Sequence, residues 1–314
     1  MMRRILAAVA AVAAFGASAG GPRAWWSGPQ VTLLGSPSPD GRFLSFADPK
    51  TGALGIRDLA GGSWRAIAKR PAGSHEFAYF SVFSRDGHKI AYAWMNGQGF
   101  YDLRVADAVG AEKPAIAYRN EEAGFVQPCA WTPDGKEILT LLFRRDNISQ
   151  IVLVPAAGGT PRVLRSLDWV YPKKMDLSPD GRWIVYDNFA REGQPQRTIF
   201  ILSADGREER RLIDMPGDFL FPQWSPDGHR VFFAGDNGGP EELWGVEVAN
   251  GRAQGPPRRV VESLGRILPL GITRAGEFFY GLRTGSPNVY TASVNGAAGS
   301  ARRLPTRFIG RNTA

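Results

Sequence analysis

Conventional catalytic chemistry is scarce in this sequence. Its 314 residues include three histidines, His75, His88 and His229, and one cysteine, Cys129. His88 and His229 each follow a glycine in a turn, which places them in solvent on the same face of different repeats. There they cannot converge with His75 on a metal. One Gly-x-Ser-x-Gly occurs, at Gly16-Ala17-Ser18-Ala19-Gly20. A nucleophile elbow needs a strand before it and a helix after it, and this one follows an apolar leader-like run. No His-Glu-x-x-His, cysteine-pair spacing or phosphate loop is present. No catalytic residue, metal site or cofactor is therefore expected. Cys129, two residues before Trp131, reads as a small buried hydrophobe rather than a nucleophile.

The residues with chemical potential are carboxylates and rings in a set of loops. Segments 69–76, 119–125, 166–171, 214–219 and 262–266 each carry an acid. The candidates are Glu76, Glu122, Asp168, Asp218 and Glu262, with Trp169, Tyr171 and Phe219 beside them. An acidic, aromatic-edged rim would attract a cation, a basic peptide or a sugar, and loops on a rigid scaffold are where binding usually resides.

A tandem repeat must position those loops. Ser38-Pro39-Asp40-Gly41, Ser84-Arg85-Asp86-Gly87, Thr132-Pro133-Asp134-Gly135, Ser178-Pro179-Asp180-Gly181 and Ser225-Pro226-Asp227-Gly228 are copies of one turn. Thr273-Arg274-Ala275-Gly276 is a degraded sixth. Steps of 46, 48, 46, 47 and 48 residues separate equivalent positions, a period that signals a repeat architecture. Proline presets φ at the first central position, aspartate tolerates the second, and glycine takes the left-handed conformation. Calcium would need six to eight oxygens at one point, and these aspartates are dispersed over separate repeats, so they serve the turns.

Each repeat reads as four strands. An apolar residue precedes the turn (Phe83, Trp131, Leu177, Trp224), and an alternating strand such as Ile184/Tyr186 follows it. A third strand such as Ile151-Val152-Leu153-Val154 ends in a glycine turn, and a short Arg-bearing strand completes the unit. Proline near the start of several fourth strands suits an outer edge. Six four-stranded antiparallel units over residues 31–305 predict an all-β, six-bladed β-propeller. Trp131, Trp183 and Trp224 are then packing residues between blades. Ring closure is expected by end-to-end contact or by a strand from the 306–314 tail.

The Ser-Pro-Asp-Gly repeats resemble the TolB-like propeller repeat, a WD40-like family common in bacterial envelope proteins. The resemblance covers residues 31–305 and implies the fold. The TolB amino-terminal α/β domain, and the catalytic domain that accompanies this repeat in dipeptidyl-peptidase-like hydrolases, have no counterpart in this parse.

Residues 1–19 combine Arg3-Arg4, an apolar run from Ile5 to Phe15 and Ala17-Ser18-Ala19, which reads as a secretory signal peptide with a linker at 20–30. No other run is long enough to span a bilayer, so no stable membrane insertion is expected after cleavage. The net charge of +8 is scattered rather than gathered, and together with export it argues against nucleic acid. The expectation is a monomeric, periplasmic or secreted, non-catalytic scaffold for a protein or peptide partner. The alternative is a carbohydrate-active lyase or glycosidase at the channel mouth, which needs a pair of facing carboxylates for hydrolysis.

Overall fold

The computed structural model describes residues 12–14, 23–27 and 34–293, apart from 111–112, 192, 194, 237–240, 263 and 283–287. Among them lie six sheets, antiparallel but for one pairing, numbered here as blades 1 to 6 in chain order. Blade 3 shows the full unit: Ala123–Trp131, Glu137–Arg144, Ser149–Pro155 and Arg162–Leu167 pair in sequence order. Blades 2 and 4 repeat it, beginning at Phe77–Phe83 and Met175–Leu177. Blade 5, beginning at Asp218–Trp224, has five strands because Glu242–Ala249 pairs with both Arg252–Ala253 and Arg258–Val261.

Blade 1 has three strands, and its innermost strand shrinks to the bridge Pro37↔Leu44. Proline supplies no N–H for a ladder, and Pro37 and Pro39 both fall in that stretch. Blade 6 contributes Ile267–Ile272, Glu277–Leu282 and Asn288–Ser293. Its expected fourth strand and the 306–314 tail lie outside the described residues. Val12–Ala14, within the expected leader, runs parallel to Val289–Thr291 of blade 6. Trp26 packs edge-on against Phe46 of blade 1, at 5.0 Å between centroids.

The turns are built as their residues dictate. Gly41, Gly87, Gly135, Gly181, Gly228 and Gly276 all have φ between 67° and 82°, where a side chain is costly. In blade 2, Ser84 Oγ donates to Asp86 Oδ1 at 2.6 Å, and the His88 N–H donates to the same oxygen at 2.9 Å. Those bonds hold the Asp86 carboxyl below the usual range. The degraded copy has Ala275 in place of the aspartate but keeps the bond from the following strand: the Glu277 N–H donates to Thr273 Oγ1 at 3.1 Å, as the Lys89 N–H does to Ser84 Oγ at 2.8 Å.

The core is a cycle of shared interfaces rather than one central mass. Leu54, Phe83 and Ile90 join blades 1 and 2; Val105, Trp131 and Ile138 join 2 and 3; Leu139, Leu153 and Tyr186 join 3 and 4. Ile201, Phe233 and Trp244 join 4 and 5. A fifth cluster takes Leu44 and Leu59 of blade 1 with Phe232 and Leu243 of blade 5 and Phe278 and Tyr280 of blade 6, which closes the ring. Each buried side chain of this size contributes ~1.5–3 kcal/mol, so a blade depends on both neighbours for its stability.

Candidate functional site

The innermost strand of each blade runs from an inter-blade loop to a Ser-Pro-Asp-Gly turn, so the ring has a loop face and a turn face with a channel between them. Counting back from the turn aspartate gives its layers. Six residues before it stand Leu34, Phe80, Pro128, Lys174, Phe221 and Pro269, which line the loop-side end. Four residues before it stand Ser36, Val82, Ala130, Asp176, Gln223 and Gly271, which line a cavity of about 480 Å³. The residues just before the turn aspartate, including Pro39, Arg85, Pro179, Pro226 and Arg274, form the turn-side mouth of that cavity. Phe80 and Phe221 hold equivalent places and both have positive φ, 33° and 57°. Both sit at register shifts in the inner strand, which turn the ring onto the channel.

Blade 4 alone puts charge in both inner layers. Lys174 Nζ crosses the channel to the carbonyls of Pro269 and Leu270, at 2.9 and 3.0 Å. Burial pushes its pKa down to about 8. Asp176 accepts the N–H groups of Leu177 and Trp224, at 2.9 and 2.8 Å, and burial raises its pKa. Arg85 donates to the carbonyls of Trp131, Leu177 and Ser178, which clips blade 2 to blades 3 and 4. Cys129 is half-buried: it packs against the core between blades 3 and 4, as a small hydrophobe would, and also borders the channel wall. Burial pushes its thiol up to about 12. The thiolate is the reactive form, so at pH 8 a disulfide reagent should modify folded Cys129 at least tenfold more slowly than the unfolded chain. Equal rates would contradict this placement.

On the loop face the acidic candidates are mostly partnered. Trp94 Nε1 donates to Glu76 Oε2 at 2.5 Å. Glu122 pairs with Arg144 at 3.4 Å, and Glu262 with Arg259 at 3.8 Å. Asp218 accepts the Arg197 N–H at 2.7 Å. Asp168 is exposed, and its carbonyl accepts the Ser149 N–H at 3.3 Å. The rim is therefore charge-compensated, not a continuous acidic field. Phe219 is fully buried against Phe233 and Trp244, at 5.5 and 6.2 Å. It anchors the rim from below and presents no surface to a partner, contrary to the expectation for this ring.

Trp169 and Tyr171 do face outward, 67% and 44% exposed. Trp169 leans on Phe189 at 5.9 Å, and Tyr171 meets Phe143 edge-on at 6.0 Å. Lys173 covers Tyr171 at 4.5 Å and Arg197 covers Phe189 at 4.6 Å. A fully buried carboxylate fixes this group: Asp187 accepts the N–H groups of Lys173 and Lys174 and pairs with Arg197 Nη1 at 2.8 Å. Asp187, Arg197 and the channel residues Arg85, Lys174, Asp176 and Gln223 were missed in the sequence. The available signal was departure from the repeat, namely arginine in the proline position and charge in an otherwise uncharged column.

Asp176 is the sole carboxylate among the described residues lining either end of the channel. Among the described residues no group of three or more His, Cys, Asp or Glu side chains converges on a metal position. No described helix is long and apolar enough to cross a membrane.

Comparison with known proteins supports the architecture. No family model matches the chain. The solved structure of a putative TolB from Agrobacterium tumefaciens superposes with a TM-score of 0.63 at 22% identity, over 90% of this chain and 94% of that one. An oligogalacturonate lyase in complex with manganese gives 0.54 at 14% identity, over 81% and 73%. In sequence, the Tol-Pal system protein TolB of Bordetella pertussis is 29% identical over 166 residues, 52% of this chain and 36% of that protein. Matches to this and two other curated relatives span 15% to 36% of those proteins' lengths.

Proposed function

We propose that this chain, a β-propeller of the TolB-like kind, is an exported scaffold that docks a protein or peptide partner on its loop face. The observation that carries the reading is the outward pair Trp169 and Tyr171, braced by Phe189, Phe143, Lys173 and Arg197. Exposed aromatics on a rigid backing are the residues that dominate protein interfaces, because they bury large area at small entropic cost. The partnered carboxylates Glu76, Glu122, Asp218 and Glu262 hold the surrounding loops, and exposed Asp168 borders the patch. A glycosidase would need a second carboxylate facing Asp176, and the described channel walls do not supply it.

A Trp169→Ala/Tyr171→Ala variant should lose capture of its envelope partner at least tenfold, about 1.4 kcal/mol, with an unchanged Tm. Charge reversal at Glu122 should have the smaller effect, because that carboxylate already faces Arg144. Full capture by the double aromatic variant would reject the site. Export makes a separate prediction. Mature protein recovered from a bacterial periplasm should begin near residue 20, which would remove the Val12–Ala14 strand from blade 6. An amino terminus still at Met1 or Met2 would refute cleavage.

A further inference from the structure

The turn-side mouth of the channel departs from the repeat in a way that the loop face does not explain. Four copies of the turn carry proline at the first central position, and two carry arginine, Arg85 and Arg274. Both arginines line the 480 Å³ cavity, and Arg274 Nη2 donates to the Arg85 carbonyl, so the two meet at one mouth. Gln223 stands on the wall of the same cavity. It is 2% exposed, and its Oε1 and Nε2 are both buried without a hydrogen-bond partner. A buried amide left unpaired costs ~1–3 kcal/mol, a loss that a ligand would recover. Lys174 closes the inner end with a third cation, against the lone carboxylate of Asp176. Pro39, Pro179 and Trp224 supply apolar wall.

We infer that this mouth binds a carboxylate with an amide beside it, the chemistry of an N-acyl amino acid or of a polypeptide's C-terminal residue. The carboxylate meets the exposed guanidinium of Arg274 and the Nη1 edge of Arg85, whose Nε and Nη2 stay on the carbonyls of Trp131, Leu177 and Ser178 and hold the group in place. The adjoining peptide group exchanges hydrogen bonds with both ends of the Gln223 amide, and the side chain lies on the proline and tryptophan wall. The site is on the opposite face from Trp169 and stands or falls independently of the docking surface.

Calorimetry on the full-length protein tests it with N-acetylleucine and acetyl-Ala-Ala-Leu, each as free acid and as carboxamide. The acids should bind with 1:1 stoichiometry and Kd below about 1 mM, and the amides at least tenfold more weakly. Affinity equal for both acids identifies a small-molecule site; higher affinity for the tripeptide identifies a chain-end site. Gln223→Leu should cut acid affinity at least tenfold while the ligand-free Tm stays level or rises, because the unpaired amide is gone. Exposed Arg274→Gln should cut it by a similar factor without disturbing the fold. Equal binding of acids and amides, no binding of either, equal competition by inorganic phosphate, or undiminished binding by Arg274→Gln would overturn the inference.

Discussion

Asp187→Ala should destabilise the protein by roughly 3–5 kcal/mol, a large share of the ~5–15 kcal/mol that holds a typical domain folded. Asp187 is fully buried, and its partner Arg197 is nearly so, with 9% of its side chain exposed. Removing the carboxylate leaves a buried guanidinium that faces, among the described residues, the Asp187 carbonyl at 3.4 Å and the Phe189 ring. It also releases the N–H groups of Lys173 and Lys174 at the start of Met175–Leu177, a strand of three residues. The 168–174 loop, with Trp169 and Tyr171 on it, should lose hydrogen-exchange protection before the neighbouring blades do. Asp187→Asn keeps an acceptor for the two N–H groups and should cost less than Asp187→Ala. Urea titration reads both variants; a midpoint shift equivalent to under about 1 kcal/mol for Asp187→Ala would show that the pair does not fix this loop.

The repeat made the fold legible because Ser-Pro-Asp-Gly chemistry is local: hydroxyl, carboxylate and glycine satisfy one another within six residues. The same locality allowed the turn aspartates to be read as structural, and Ser178 Oγ donates to Asp180 Oδ1 at 2.6 Å as that reading requires. Long-range geometry was less accessible. Phe219 looks like a rim ring in sequence, but Gly217, two residues before it, and Gly235, on the paired strand, cut a slot for it. A Cβ on Gly235 would lie 2.3 Å from its ring and one on Gly217 2.6 Å. Asp176 lies in an innermost strand, Met175–Leu177, and Lys174 immediately before it. Their meaning emerges only when six inner strands are stacked in columns, where one blade's charge stands out against Leu34, Phe80, Pro128, Phe221 and Pro269. Trp169 and Tyr171, beside Asp168 in the same loop, lie exposed as the rings of a rim loop were expected to.

The Lys174 ammonium should leave a distinct mark on stability at alkaline pH. Its pKa is about 8 in the fold against 10.5 for a free lysine. Between those values the unfolded chain holds a proton that the folded chain lacks, so stability rises with pH across that window. Cys129, which faces the same ammonium, works in the opposite sense. Its thiol stays protonated in the fold to about 12 but ionises near 9 when free, so it lowers stability as pH rises beyond 9. The two contributions offset each other between pH 9 and 10.5. Asp176 is the other charge facing Lys174, with Arg85 behind it; burial raises the Asp176 carboxyl and lowers the Arg85 guanidinium. Buried Tyr92 and Tyr186, whose hydroxyls burial holds protonated, oppose stability above pH 10. Cys129→Ala should therefore gain stability from pH 8 to 10 relative to Cys129→Ala/Lys174→Met, by about 2 kcal/mol at up to ~1.4 kcal/mol per unit. Urea titrations of the two proteins that stay parallel over this range would place the Lys174 ammonium in solvent rather than across the channel.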